Sequence, residues 1–195
     1  MSTRTTRRTF LKSTALASIG IPTLIPASAL GKNGTVAPSN RIVLGGIGVG
    51  RRGQKVLDGF FQQKDAQFIA VADPQKNRRE IIKRKADTHY GNKDCVIYDD
   101  MSGVLERNDI DAVLVTTGDR WHATASIYAA RAGKDIYCEK PCAMNIQECQ
   151  ELDDNIKKHK RVFQAGTQRR SVPNFKLAAD LALKGKLGQM KEVHA

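Results

Sequence analysis

Downstream of residue 40 the chain alternates short, uninterrupted apolar runs with longer charged stretches. The apolar runs predict strands at 42–47, 68–72, 95–98, 112–117, 136–138 and 162–165. The stretches between and after them predict helices at 54–63, about 75–90, 124–132, 146–159 and 175–184, with a helical turn at 101–107. Gly133 and Gly185 stand where helices commonly stop. Strands without polar alternation are covered on both faces, and helices between them supply the covers. Repeated strand–helix order predicts an α/β fold with an open, mostly parallel, doubly wound sheet. After Leu187-Gly188 the pattern at 190–195 reads as a new strand beginning, which predicts the start of a second α/β domain. The expected organisation is an N-terminal segment at 1–29, a breaker-rich linker at 30–40, a doubly wound α/β domain at 41–165 and a connection at 166–195.

Composition changes this picture little. Hydrophobic residues make up 41% of the 195 and charged residues 27%, so disordered and fibrous classes are excluded. The net charge of +12 changes it more, because a basic chain invites nucleic acid, anionic lipid or phosphorylated ligands as partners. Four cations and no acid lie in residues 1–29, so +8 remains for the rest. Those remaining cations are scattered along helices without aromatic interleaving, which argues against nucleic acid.

The opening segment has an order of its own. Arg7-Arg8-Thr9-Phe10-Leu11-Lys12 precedes an uncharged run from Ser13 to Gly31, and Ala27-Ser28-Ala29 offers a small-residue cleavage site. Paired arginines followed by Phe-Leu-Lys resemble a twin-arginine export signal. Gly20, Pro22 and Pro26 make the run a poor spanning helix. The expectation is export by the twin-arginine machinery to the periplasm, free or tethered to the membrane on that side. That route carries folded proteins out of a reducing cytosol, so Cys95, Cys138, Cys142 and Cys149 are expected as buried free thiols. Their spacing matches no common zinc pattern.

The first strand runs into Gly48-Val49-Gly50-Arg51-Arg52-Gly53. In this spacing Gly48 makes a tight turn, Gly50 lets a pyrophosphate approach the backbone, and Gly53 packs the helix against the strand. The helix N-terminus then offers N–H groups and a positive dipole end to phosphates. Asp73 ends the second strand, 20 residues after Gly53, where a carboxylate holds the ribose hydroxyls. It would also repel a 2′-phosphate, which favours NAD over NADP, although Arg51, Arg52, Arg78 and Arg79 could neutralise one.

Three further strand tips carry polar residues on the edge where this fold binds ligands. The fourth ends in Thr116-Thr117-Gly118-Asp119-Arg120-Trp121-His122. His122 is read as capping the next helix, packing beside the ribose or relaying a proton, and Trp121 as equally a site residue or a packing one. The fifth ends in Glu139-Lys140-Pro141, where desolvation would help Lys140 act as acid or base, or where Glu139 and Lys140 form a plain surface pair. The sixth ends in Gly166-Thr167-Gln168-Arg169-Arg170 and adds Gln168 as a candidate cofactor contact beside Thr116 and Thr117.

From about Arg41 to Ala195 the chain resembles the Gfo/Idh/MocA oxidoreductase family, named for glucose–fructose oxidoreductase and inositol dehydrogenase. The resemblance rests on the glycine loop, Asp73, Asp111-Ala112-Val113, the loop from Asp119 to His122, Ala132-Gly133-Lys134 and above all Glu139-Lys140-Pro141. It implies a Rossmann domain followed by an α/β domain, and NAD(P)-dependent hydride chemistry on a sugar or polyol. It also implies that Lys140 lies beside nicotinamide and substrate and that Glu139 contacts the nicotinamide ribose. This chain has Gly118 where the family often has Pro, and the family's catalytic His lies in the second domain, beyond His194.

Two enzyme classes fit: sugar or polyol oxidation, and glycoside cleavage in which NAD transiently oxidises the sugar. A non-catalytic dinucleotide-binding module is the third reading. A homo-oligomer of the complete form is compatible with the sequence.

Overall fold

A computed structural model describes residues 36–189 and 191–192. The expected export signal and the expected strand at 190–195 therefore lie outside the described residues, apart from 191 and 192, which are irregular. The chain divides after Asn40 into two units. Among its described residues the first shows a 3₁₀ turn at Pro38–Asn40.

Among its described residues the second unit carries six strands: β1 (Ile42–Ile47), β2 (Ala66–Ala72), β3 (Val96–Tyr98), β4 (Ala112–Val115), β5 (Asp135–Cys138) and β6 (Phe163–Ala165). Its helices are α1 (Arg51–Phe61), α2 (Lys76–Tyr90), α3 (Ser102–Leu105), α4 (His122–Arg131), α5 (Ile146–His159) and α6 (Pro173–Leu183). The strands form one parallel sheet in the order β3-β2-β1-β4-β5-β6. The predicted doubly wound α/β fold is thus present, a Rossmann sheet whose order reverses between β1 and β4.

Right-handed crossovers that step outward in opposite directions from β1 and β4 must place their helices on opposite faces. The core accordingly comes in two clusters. Leu44, Val49, Leu57, Phe68, Val71, Ile82 and Leu114 fill the face covered by α1 and α2. Ile47, Val104, Val113, Val115, Ala125, Ala129 and Ile136 fill the face covered by α3 and α4. Apart from His122, the buried residues of α4 are all small: Ala123, Ala125, Ser126, Ala129 and Ala130.

Local sequence sets the ends of the helices. The Asn145 side chain accepts the Glu148 N–H at 2.8 Å, while Glu148 accepts the Met144 N–H, so α5 begins with a reciprocal cap. Gly91 and Gly133, both at positive φ, follow the ends of α2 and α4. Lys134, only 6% exposed, donates to the carbonyls of Arg107 (2.6 Å) and Ile110 (3.0 Å) and ties the α3–β4 loop to β5. Its place in the Ala132-Gly133-Lys134 motif is therefore structural. Helix α6 leaves Phe175, Leu177 and Leu183 exposed.

Candidate functional site

The tips of β1 and β4 part at the point where the strand order reverses, the crevice in which open parallel sheets bind ligands. Gly48 turns the chain there with φ +67°, a left-handed conformation costly to any residue with a Cβ. A Cβ on Gly48 would also lie 2.7 Å from the Thr117 Cα. One on Gly53 would collide with the Thr116 side chain, so both glycines let the β1 and β4 tips and α1 meet closely. Helix α1 begins at Arg51, three residues earlier than predicted, because Gly53 serves close packing within the helix. No side chain caps α1, so its first N–H groups face the crevice. A Cβ on Gly50 would meet only the Arg78 guanidinium, at 3.6 Å, so the space before the loop is open.

This half of the crevice is a cavity of about 470 Å³ lined by Gly48, Gly50, Arg51, Asp73, Arg78 and Thr117, among others. Asp73 is 3% exposed. Its Oδ1 accepts the Gln75 N–H at 2.8 Å, and no described residue donates to Oδ2. Arg79 is not a 2′-phosphate partner in this arrangement. It donates to the Asp73 and Pro74 carbonyls at 2.8 and 3.2 Å and so fixes the Asp73 turn. Val49, expected among the cofactor contacts, sends its side chain fully into the core, so only its backbone belongs to the loop.

A second cavity of about 890 Å³ continues the groove, sharing Arg52, Thr116 and Thr117 with the first and adding Asp119, His122, Glu139, Lys140 and Gln168. Glu139 is 3% exposed and is not the partner of the Lys140 side chain in a surface pair. Its Oε1 accepts the Arg52 Nε at 2.8 Å and a short bond from the Gln168 amide, and its Oε2 accepts the Lys140 backbone N–H at 3.1 Å. Gln168 also bonds the Tyr137 hydroxyl at 2.9 Å, a partner that no sequence signal marked. Burial pushes the Tyr137 hydroxyl up, with the Gln168 bond opposing it, so Tyr137 is a hydroxyl and not a phenolate in this network.

Lys140 is exposed, contrary to the expected desolvation. His122, the first residue of α4, is 2% exposed and does not cap the helix. Its Nδ1 lies 2.6 Å from the Pro141 carbonyl across a cis Lys140–Pro141 bond. Trp121 is 53% exposed and lines the first cavity, so of its two readings the packing one does not hold.

The cysteines depart from expectation in part. Cys95 and Cys138 are buried, but Cys142 is half-buried and Cys149 exposed, and all four are free. Burial pushes the Cys95 and Cys138 thiols up to about 12. Thiolate is the reacting form, so iodoacetamide at about pH 8 should modify Cys149 quickly and leave Cys95 and Cys138 unmodified until unfolding. Peptide mass spectrometry reads this, and rapid native labelling of Cys138 would contradict the packing described.

The groove fits a dinucleotide on its own geometry: an open, uncapped helix N-terminus in the middle, a carboxylate oxygen at one end and a lysine at the other. A family model described as "Oxidoreductase family, NAD-binding Rossmann fold" matches residues 42–167. Over 146 residues the chain is 28% identical to the myo-inositol 2-dehydrogenase of Thermotoga maritima, covering 75% of this chain and 42% of that protein. It is 29% identical over 161 residues to a glycosyl hydrolase family 109 protein of Solibacter usitatus, covering 76% of this chain and 36% of that protein. The solved scyllo-inositol dehydrogenase of Lactobacillus casei with bound NAD(H) and scyllo-inositol shares the fold, with a TM-score of 0.66 at 24% identity over 76% of this chain and 43% of that one. The chain thus spans about two fifths of the length of these relatives.

Proposed function

This chain belongs to the Gfo/Idh/MocA oxidoreductase family, and we propose that it holds NAD along the groove and serves hydride transfer at a hydroxyl-bearing carbon of a sugar or polyol. The observation that carries this reading is the continuity of the two cavities. Asp73 stands at one end, the α1 N-terminus in the middle, and Lys140 at the other end. When bound, NAD supplies the hydride acceptor. Asp73 Oδ2 accepts from the adenosine ribose and disfavours a 2′-phosphate. The N–H groups of α1 hold the pyrophosphate, with Arg51 beside it. Lys140 Nζ polarises the substrate hydroxyl or relays its proton.

A second reading is glycoside cleavage by transient oxidation, which the family 109 relative favours. Incubating the complete protein with polyols and with aryl glycosides separates the two. Net NADH formation from the polyols supports oxidation, whereas aglycone release without net NADH supports cleavage, and neither product would overturn both.

We also propose export by the twin-arginine route, on the strength of Arg7-Arg8 and the uncharged run that follows. Outside the cytosol there is no pool of free NAD, so a protein that folds around its cofactor before export has a reason to use this route. Replacing Arg7 and Arg8 by lysines should leave the precursor in the cytosol. Unchanged arrival in the periplasm, read by fractionation, would refute the route.

A further inference from the structure

We infer that His122 is a positioning residue for Lys140, acting through the Pro141 carbonyl and not by exchanging protons itself. The inference rests on the proposed role of Lys140. A carbonyl oxygen only accepts, so the 2.6 Å contact places the hydrogen on His122 Nδ1. The other ring nitrogen, Nε2, is buried and has no partner among the described residues. A proton relay needs one nitrogen within reach of the reacting group and usually an acid behind the other. Here a carbonyl occupies one nitrogen and protein seals the other.

The bond nevertheless reaches the residue after Lys140. On the preceding side, the Glu139 Oε2 accepts the Lys140 N–H at 3.1 Å. Glu139 is itself pinned by Arg52 and Gln168. The backbone of Lys140 is thus held from both sides, by a carboxylate before its amide and by an imidazole after it. Its side chain is exposed and takes no partner among the described residues, so these two anchors set where Nζ starts from. His122 and Pro141 lie 19 residues apart, joining the start of α4 to the loop after β5.

The test compares three variants in the complete holoprotein. The side-chain amide nitrogen of Asn reproduces the reach of Nδ1, that of Gln reproduces Nε2, and Phe keeps ring volume without a donor. His122→Gln and His122→Phe should lower kcat by about 10–100-fold, the scale of a displaced catalytic group. Their NAD affinity should stay within about twofold, and His122→Asn should restore most of the lost rate. Hydrogen exchange at the Lys140 amide should rise about 5–10-fold in the Gln and Phe variants but not in Asn, because the loop that holds this N–H against Glu139 Oε2 is freed on its Pro141 side. Loss of rate in Asn equal to that in Gln would overturn the inference, since both nitrogens would then be needed. Unchanged Lys140 exchange in Gln and Phe would also overturn it. Lys140→Ala, assayed in parallel, separates the two failures. An active Lys140→Ala refutes the role of Lys140, whereas an inactive one beside a fully active His122→Gln refutes only the role of His122. Should Phe fail to fold, the Asn and Gln pair decides.

Discussion

Lys140→Ala should lower turnover by about 10²–10⁴-fold in the complete protein, the usual worth of a positioned proton-transfer group, while NAD affinity changes little. The affinity is spared because the phosphate-binding turn and Asp73 belong to β1, α1 and β2, whereas Lys140 follows β5 at the far end of the groove. Lys140→Arg should not rescue turnover. A guanidinium keeps its proton and presents a planar fork in place of a compact ammonium. Steady-state rates with any accepted polyol or glycoside, beside an NAD titration, read both halves. Full turnover in Lys140→Ala would remove the lysine from the chemistry. A loss of NAD affinity matching the loss of rate would make it a cofactor ligand only.

Gly48→Ala should strongly destabilise the folded domain. The left-handed backbone at φ +67° costs a non-glycine residue, and the new Cβ would press on the Thr117 backbone at 2.7 Å. Left-handed strain and overpacking together predict a stability loss of about 2–5 kcal/mol. NAD affinity should fall at least about tenfold, because moving the turn also moves the N–H groups at the start of α1. Denaturant melts and an NAD titration test this. Gly50→Ala is the internal contrast: its Cβ would meet only Arg78, at 3.6 Å, so the apo domain should keep its stability while the pyrophosphate loses room.

Much of this architecture was legible because local and global signals agree. The strands at Ile42–Ile47 and Ala112–Val115 are apolar throughout, and burial on both faces is the reason. Helix Ile146–His159 matches its predicted bounds because Asn145 and Glu148 form its start, and Lys157, Lys158 and His159 close its end. Helix α1 was placed too late because a glycine inside a helical pattern reads as a break, and its reason for being there, contact with Thr116, lies 63 residues away. The same limit governs the site. The glycine loop and Asp73 are local in sequence and could be read directly. The Arg52–Glu139 pair spans 87 residues and the Gln168–Glu139 bond 29, so only the fold brings them together. Lys140 was readable as chemistry, but its exposure and the anchors on either side of it were not.

The measurement that bears most directly on the central claim is a calorimetric titration of NAD and NADP into the protein and its Asp73→Ala variant. With Asp73 Oδ2 at the adenosine end of the groove, the unmodified protein should bind NAD more tightly than NADP. Asp73→Ala should weaken NAD by roughly 1–3 kcal/mol, the cost of leaving such hydrogen bonds unmade, and narrow the gap between the two cofactors. Equal or tighter binding of NADP by the unmodified protein, or NAD binding untouched by Asp73→Ala, would contradict the placement of the adenosine ribose at Asp73.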